Sequence, residues 1–214
     1  KLGIIEIFTI FIINFILYKY TDTKAVYYLI NLIIIVLFFI KIFPVDFNNK
    51  SILSFLSRLI VKYSFLILCV LSIYLHCFYD PSIEWMNSLN EILADRLRLG
   101  HQGIEKYGVT LFGNDVEYVS FNQVTEFSPY FFLDSSYQRI LINFGAVVVL
   151  LLVLGFTLLS KLIIFNNNIY YGISIVFLLG HSFTDPQLLD PIFNPFSLIL
   201  AYIYSHIGRC NLFR

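Results

Sequence analysis

The segment ILINFGAVVVLLLVLGFTLLSK, residues 140–161, decides the fold class of this chain. It carries a single charged residue, Lys161, at its last position, and the rest is almost wholly apolar. An α-helix needs about 20 apolar residues to cross the hydrocarbon core of a bilayer. A segment of this length and composition therefore predicts a transmembrane helix.

Five further apolar segments have the same character. They are residues 2–18, 25–43, 59–79, 170–183 and 192–206. The last two are short and bordered by Pro or Gly, which is typical of tilted, broken or re-entrant helices. Only 13% of the residues are charged, whereas a soluble domain has about 25%. We expect an all-α integral membrane protein with about six transmembrane helices.

One long polar stretch divides these spans. Residues 1–79 hold three predicted transmembrane helices, residues 80–139 form a loop or cap, and residues 140–214 hold two to three helices and a tail. Basic residues cluster at alternate connections and at the C-terminus. They are Lys41, Lys50, Arg58, Lys62, Lys161, Arg209 and Arg214, whereas Lys19 and Lys24 depart from the pattern. The positive-inside rule then predicts cytoplasmic termini and an extracytoplasmic cap.

Several classes of site are not indicated by the sequence. The three cysteines are scattered without a CxxC pair, so we expect no disulfide framework and no zinc site. His76 and His101 lack metal-ligand spacing, and no Gly-rich nucleotide-binding loop is present. We expect no metal, no cofactor and no nucleic-acid partner. Residue 1 is Lys without the features of a signal peptide, so we expect the C-terminal part of a longer protein.

The cap is predicted to be a small helix–hairpin unit. Asp80-Pro81-Ser82 predicts a turn with an N-cap, and apolar spacing from Trp85 predicts a helix that ends at Gly100. A second helix is expected over 101–107, ending at Gly108. The segments 109–112 and 116–119 flank Gly113-Asn114-Asp115 and predict a β-hairpin. Residues 121–132 are aromatic and suited to the membrane interface.

Arg96 is the unexpected residue of the first predicted helix. It shares a face with Leu89, Ile92 and Leu93 at helical spacing, which places a guanidinium on an apolar stripe. Arg keeps its charge in proteins and therefore needs an anionic partner. A snorkelling side chain that reaches lipid headgroups is one interpretation. The interpretation that we favour is a forked contact to phosphate or pyrophosphate.

Three further polar residues, Arg98, Asp134 and Arg139, each have a purely structural interpretation. Arg98 can pair with Asp95 three residues earlier, as a solvated ion pair. Asp134 is either the N-cap of the fourth span or a general base that faces the same cavity as Arg96. Arg139 is an interfacial anchor or a second phosphate contact.

His181 and Asp185 form another polar cluster, at a predicted helix break next to Pro186. Polar groups at such a break usually line a cavity. We include both, together with His101, among the candidate substrate-binding residues.

Three blocks of residues carry a family resemblance. The first contains Arg96-Leu97, Tyr107-Gly108 and Leu111-Phe112-Gly113; the second is Leu133-Asp134-Ser135-Ser136-Tyr137 with Ile140-Leu141 and Gly145; the third is Phe183-Thr184-Asp185-Pro186 with Phe193-Asn194-Pro195-Phe196. Over residues 87–196 the chain resembles the C-terminal half of Wzy-type polysaccharide polymerases, such as those of capsule and exopolysaccharide clusters. The order and spacing of the blocks, more than any single one, support the resemblance.

The resemblance implies a metal-independent glycosyltransferase of the bacterial plasma membrane, acting at its outer face. A growing glycan on undecaprenyl pyrophosphate would be transferred to a lipid-linked repeat unit. Arg96 would support the pyrophosphate leaving group, with Arg98 or Arg139 secondary, and Asp134 would be the base. The implied partners are the lipid-linked donor and acceptor, the membrane, a chain-length regulator and a flippase.

Related O-antigen ligases carry a His-Asn pair ahead of a span and a Gly ten residues beyond the Asn. Here Asp134-Ser135 and Gly145 have that spacing, but Asp replaces the His and Ser the Asn. A His-based mechanism is therefore not expected.

Two alternatives stay open. A ligase that moves finished glycan to another acceptor shares the donor chemistry of a polymerase. A transporter of lipid-linked oligosaccharide is disfavoured, because the predicted spans are nearly free of charge and show no repeated halves.

Overall fold

The structure is a computed structural model that describes residues 4–21, 24–43, 45–125, 129–192 and 194. Over these residues it is all-helical, without β-strands, which confirms the all-α part of the predicted fold class. The helices are α1 (Ile4–Thr21), α2 (Lys24–Ile42), α3 (Ile52–Cys77), α4 (Glu84–Ile92), α5 (Arg96–Tyr107), α6 (Ser136–Phe165) and α7 (Ile169–His181).

Two of these helices, α3 and α6, are long and apolar enough to cross a membrane. Shorter apolar stretches occur in α2 and α7, at Val26–Ile42 and Ile169–His181. Six transmembrane helices are thus not established. The segment predicted at 192–206 lies almost entirely outside the described residues.

The chain divides into two compact units, Lys1–Ser57 and Arg58–Arg214. In the first unit, α1 packs against α2. Asn14, only 4% exposed, donates from Nδ2 to Oδ1 of Asn31 at 3.2 Å and to the carbonyl of Tyr27 at 3.2 Å. Such bonds satisfy a polar side chain between apolar helices and hold the pair together.

In the second unit, α6 bends sharply at Gly145, whose φ of 85° and ψ of 173° are not helical. The ring of Phe65 lies 5.6 Å from the ring of Tyr137 and 4.8 Å from that of Phe156. A straight helix would separate positions 137 and 156 by about 28 Å. The segment 146–165 therefore turns back toward Phe65, and the apolar helix predicted over 140–161 is present but interrupted at Gly145.

A loop of the cap is bonded to both sides of this bend. The amide of Asn114 donates to the carbonyl of Ile142 at 2.8 Å, before the bend. The amide of Ala146 donates to the carbonyl of Thr110 at 3.0 Å, after it. A helix end leaves such backbone groups without intrahelical partners. The bend creates two such helix ends within α6, and the loop supplies hydrogen-bond partners for both.

Glycines make this close approach possible. A Cβ at Gly113 would overlap with the carbonyl of Asn143, and a Cβ at Gly145 would overlap with that of Leu111. Both glycines have positive φ, 90° and 85°, which other residues rarely adopt. The predicted β-hairpin is therefore wrong, because the Gly-Asn-Asp turn signal serves contact with α6. An isolated bridge between Val119 and Phe131 is present instead.

The helices of the cap also differ from prediction. A single helix from Trp85 to Gly100 is wrong, because Ala94 and Asp95 have φ of 51° and 65° and separate α4 from α5. Gly100 lies inside α5, where an added Cβ would overlap with the ring of His76. The predicted end at Gly108 is confirmed, with φ of 70°. Close packing, and not helix termination, therefore explains Gly100.

Two apolar clusters hold the cap on the rest of the unit. The first consists of Leu75, Tyr79, Met86 and Leu97, and the second of Leu99, Val116, Phe131, Leu133 and Ile142. Leu97, Leu133 and Ile142 are at most 1% exposed. The first cluster joins α3 to α4 and α5, and the second joins α5 to the first part of α6. Burial of these side chains is the main force that positions α5.

Candidate functional site

Arg96 and Asp134 form an ion pair. The guanidinium Nε lies 3.3 Å from Oδ2 of the carboxylate. The two side chains are 27% and 24% exposed, so both are mostly covered and neither is fully buried. A charge pair that is partly shielded from water interacts more strongly than a surface pair. The two residues that the sequence placed in one cavity are therefore in direct contact.

Arg96 is the first residue of α5, and a buried asparagine helps to place it. Asn90, only 3% exposed, donates from Nδ2 to Oδ1 of Asp95 at 2.8 Å. Its Oδ1 accepts from the amide of Arg98 at 3.0 Å. These bonds join the end of α4 to the first turn of α5. They explain how the chain holds left-handed residues just before Arg96.

This geometry corrects two interpretations of the sequence. Arg96 does not lie on an apolar stripe with Leu89, Ile92 and Leu93, because the helix breaks between them. Asp134 is not the N-cap of the following helix. That position belongs to Ser135, whose side chain makes no capping bond. The Asp134 side chain is therefore committed to Arg96.

The environment of Asp134 raises the pKa of its carboxyl. The main cause is burial, which disfavours the charged form, and nearby Asp185 acts in the same direction. Arg96 and Arg139 act in the opposite direction without compensating for burial. The result is a carboxylate that binds a proton more readily than an exposed aspartate. This is a property that a general base requires.

The site has a positive character beyond the two arginines. The N-terminus of α5 begins at Arg96, and the N-terminus of α6 begins two residues after Asp134. The aligned peptide dipoles of a helix give its N-terminus a partial positive charge, although the amides of Arg96, Arg98 and Ser136 already donate to protein oxygens. Among the described residues, none forms a hydrogen bond or ion pair with Nη1 or Nη2 of Arg96. The guanidinium fork is therefore available to an anionic ligand.

Arg139 lies on aromatic rings. Its guanidinium carbon is 5.3 Å from the ring centroid of Tyr118 and 5.4 Å from that of Phe132. These are cation–π distances. The interpretation of Arg139 as an anchor agrees with this position. Arg139 still interacts electrostatically with Asp134, because its positive charge acts to lower the pKa of that carboxyl.

Arg98 and His101 contact other groups. Arg98 pairs with Asp95 at 3.2 Å, as the sequence predicted for a local ion pair. His101 Nδ1 lies 2.8 Å from the carbonyl of His76, and Nε2 lies 3.4 Å from Oε1 of Glu105. The structure shows no direct contact of either side chain with the Arg96–Asp134 pair.

The second predicted cluster, His181 and Asp185, is brought near the Arg96–Asp134 pair by hydrogen bonds between Ser136 and backbone groups. Ser136 donates from Oγ to the carbonyl of Asp185 and accepts from the amide of Leu188 at 3.1 Å. This docks the segment after α7 on the start of α6, within electrostatic reach of Asp134. His181 ends α7, and its carbonyl accepts from the amide of Thr184 at 2.9 Å. No described contact links the His181 side chain to the pair.

A buried polar cluster next to the site was missed by sequence reasoning. Ser72 Oγ lies 3.2 Å from Ser135 Oγ, and the carbonyl of Ser72 accepts from Gln138 Nε2 at 3.3 Å. The same carbonyl is 2.6 Å from His76 Nδ1, which therefore carries the proton. The sequence pattern that could have indicated this cluster is the pair Ser72 and His76, two polar residues four positions apart in an apolar helix.

Two atoms of this cluster, His76 Nε2 and Gln138 Oε1, have no hydrogen-bond partner among the described residues. The His76 ring nevertheless lies near the backbone of Arg96. Both side chains are at most 1% exposed. Buried polar atoms without partners are uncommon in proteins. Over the residues that the structure describes, this cluster holds the buried side-chain atoms without a hydrogen-bond partner.

A shallow depression of about 650 Å³ lies along α4, lined by Glu84, Trp85, Ser88, Leu89 and Ile92. Neither Arg96 nor Asp134 lines it, so the chemistry of the ion pair and this depression are separate. In the part of the chain that the structure describes, no group of three or more His, Cys, Asp or Glu residues is arranged to hold a metal ion.

The chain matches no protein-family model, no curated protein and no solved structure. The function therefore has to be argued from the site itself.

Proposed function

We propose that this chain carries the active site of a Wzy-type polysaccharide polymerase in the bacterial plasma membrane. It would join lipid-linked repeat units into capsular polysaccharide or exopolysaccharide. The observation that carries the proposal is the ion pair of Arg96 and Asp134. In this pair, a cation that could bind a pyrophosphate leaving group lies beside a carboxylate that could accept a hydroxyl proton.

In the proposed reaction, a hydroxyl oxygen of the acceptor sugar attacks the anomeric carbon of the donor glycan. A new C–O bond forms at that carbon, and the bond to the pyrophosphate oxygen breaks. The bonding electron pair leaves with the polyprenyl pyrophosphate, and the hydroxyl proton goes to Asp134. No redox change occurs, so no further reactant is needed.

Arg96 supports the departure of the pyrophosphate. Its Nε holds Asp134, while Nη1 and Nη2 form no hydrogen bond or ion pair with described residues. A planar fork of donors matches two phosphate oxygens, which Lys cannot reproduce. The N-terminus of α5 adds positive potential at the same place. Removing one donor of this kind costs about 10²–10³-fold in rate.

Asp134 has the properties of the acceptor base. Burial raises the pKa of its carboxyl, which strengthens it as a proton acceptor. The contact with Arg96 keeps the carboxylate oriented. Protonation of Asp134 by the acceptor hydroxyl would also release Arg96 toward the leaving group, because a protonated carboxyl holds a guanidinium less strongly.

The test replaces Arg96 with Ala and with Lys in the membrane-embedded protein and follows the glycan ladder on the lipid carrier. We expect both variants to accumulate single repeat units at normal protein abundance. Lys106→Ala is the matched control, because Lys106 lies on the same helix and contacts the rings of Tyr107 and Phe131. Its ladder should stay close to that of the parent protein.

Alternative outcomes identify other functions. An unchanged ladder in both Arg96 variants would contradict the proposal. A ligase would leave the ladder intact while final transfer to the acceptor polymer is lost. A transporter would fail to deliver repeat units, so supplying them at the outer face would restore the ladder.

A further inference from the structure

The segment between α5 and Asn114 exposes large apolar side chains. Val109 is 49% exposed, Leu111 63% and Phe112 82%. Residues 107–113 contain no charged side chain, whereas Lys106 and Asp115 flank them. An exposed apolar group of this size on a polar cap is unusual and marks a contact surface.

The segment is hydrogen-bonded to α6, so its exposed side chains project from a fixed backbone position. Its carbonyls at Thr110 and Leu111 accept from the amides of Ala146 and Val147, at 3.0 and 3.2 Å. Thr110 Oγ1 accepts from the amide of Gly113 at 2.8 Å. Irregular backbone enters apolar surroundings only when its polar groups are bonded. These bonds meet that condition for several groups of the segment.

The segment continues an apolar surface of α6. Directly after the bend, that helix exposes Val147 at 37%, Leu150 at 63% and Leu151 at 61%. Residues 146–165 form twenty residues of helix, which is close to the 30 Å of a bilayer core. If this part crosses the bilayer, its hydrocarbon boundary falls at the bend. The carbonyl of Leu111 accepts from the amide of Val147, so Leu111 lies at the same height as this boundary.

From this geometry we propose that residues 109–112 form a wedge that inserts Leu111 and Phe112 among the acyl chains of one leaflet. The occupant is lipid, because the wedge is uncharged and continuous with the apolar surface of the spanning part of α6. The wedge would attach the C-terminal end of α5 to the bilayer. This inference concerns membrane contact and does not depend on the proposed reaction.

Tryptophan fluorescence tests the wedge in the whole chain, reconstituted in phosphatidylcholine–phosphatidylglycerol vesicles. The chain has one tryptophan, Trp85, so Trp85→Phe gives a silent background. Phe112→Trp then reports on the wedge, and Gln102→Trp, at an exposed polar position of α5, is the matched control. Phospholipids brominated on the acyl chain quench only a tryptophan within the hydrocarbon.

We expect the tryptophan at 112 to emit at shorter wavelength and to be quenched by brominated lipid but not by aqueous iodide. The control at 102 should show the reverse. Iodide quenching at 112 without lipid quenching would overturn the wedge. Protection from both quenchers would overturn it too, because protein would then cover the residue. Leu111→Trp repeats the test at a second site if the first variant is not folded.

Discussion

Arg96 and Asp134 lie 38 positions apart in the chain, yet Nε of one is 3.3 Å from Oδ2 of the other. One begins α5 and the other precedes α6. Contact between α5 and α6 through buried Leu99, Leu133 and Ile142 brings the two helix starts together. The ion pair is therefore a product of cap packing.

A double-mutant cycle measures how strongly the pair is coupled. We expect Arg96→Met to destabilise the protein, and to destabilise it less when Asp134→Asn is already present. The coupling energy should be about 1–2 kcal/mol, because the pair is mostly covered but not fully desolvated. Thermal unfolding of the four proteins in detergent gives this value. Strict additivity would mean that the side chains are apart in solution.

The raised pKa of Asp134 predicts a pH dependence of stability. A folded-state pKa above the usual 3.8 means that the folded protein binds the proton more tightly than the unfolded chain. The stabilisation is then fully present below 3.8 and is lost as the pH rises through the raised pKa.

The measurement is the unfolding free energy of the parent protein relative to Asp134→Asn across this range. We expect the difference to fall with rising pH. A difference that rises instead would mean that Arg96 outweighs burial and lowers the pKa of Asp134.

Gly100→Ala should destabilise the cap. The added Cβ would overlap with the ring of buried His76, and overpacking of this kind costs about 1–3 kcal/mol. Gly180→Ala is the matched control, because an added Cβ there contacts nothing within 4 Å. It should stabilise α7 by about 0.5–1 kcal/mol. Melting temperatures should move in opposite directions, and equal shifts would contradict the His76 contact.

Substitutions at Gly145 and Gly108 separate backbone strain from close packing. Both residues have positive φ, but only at Gly145 would a Cβ overlap with another backbone segment. We expect Gly108→Ala to cost about 1–3 kcal/mol, from strain alone, because its φ of 70° and ψ of −177° lie in a region that only glycine readily adopts. Gly145→Ala should cost more and should expose the amides of Ala146 and Val147 to hydrogen exchange. Equal costs without faster exchange would argue against the inserted loop.

Asn90→Ala should loosen the start of α5. The substitution leaves the amide of Arg98 without its acceptor and costs about 1–3 kcal/mol. Asn87→Ala removes only a surface bond to Glu91 and should cost far less. Chemical unfolding of both variants checks the order. Similar values would mean that Asn90 does not hold the junction of α4 and α5.

Local sequence determined the helices and some of their ends. Long apolar runs allow little else than α-helix, since a helix satisfies its own backbone bonds. Gly108 ends α5 because it adopts positive φ at no steric cost. Arg98 pairs with Asp95 because Asp95 directly precedes α5 and Arg98 lies in its first turn. Each of these results depends on residues within one or two turns.

Only the tertiary structure decided the break before Arg96, the bend at Gly145 and the Arg96–Asp134 contact. The turn signal at Gly113 predicted a hairpin, but its glycine serves a close approach to Asn143 of α6. Ala94 carries no sequence mark of positive φ, and packing of α4 and α5 with the bonds of Asn90 holds it and Asp95 in this conformation. The physical reason is that these conformations are stabilised by partners remote in the chain, which periodicity and propensity do not register.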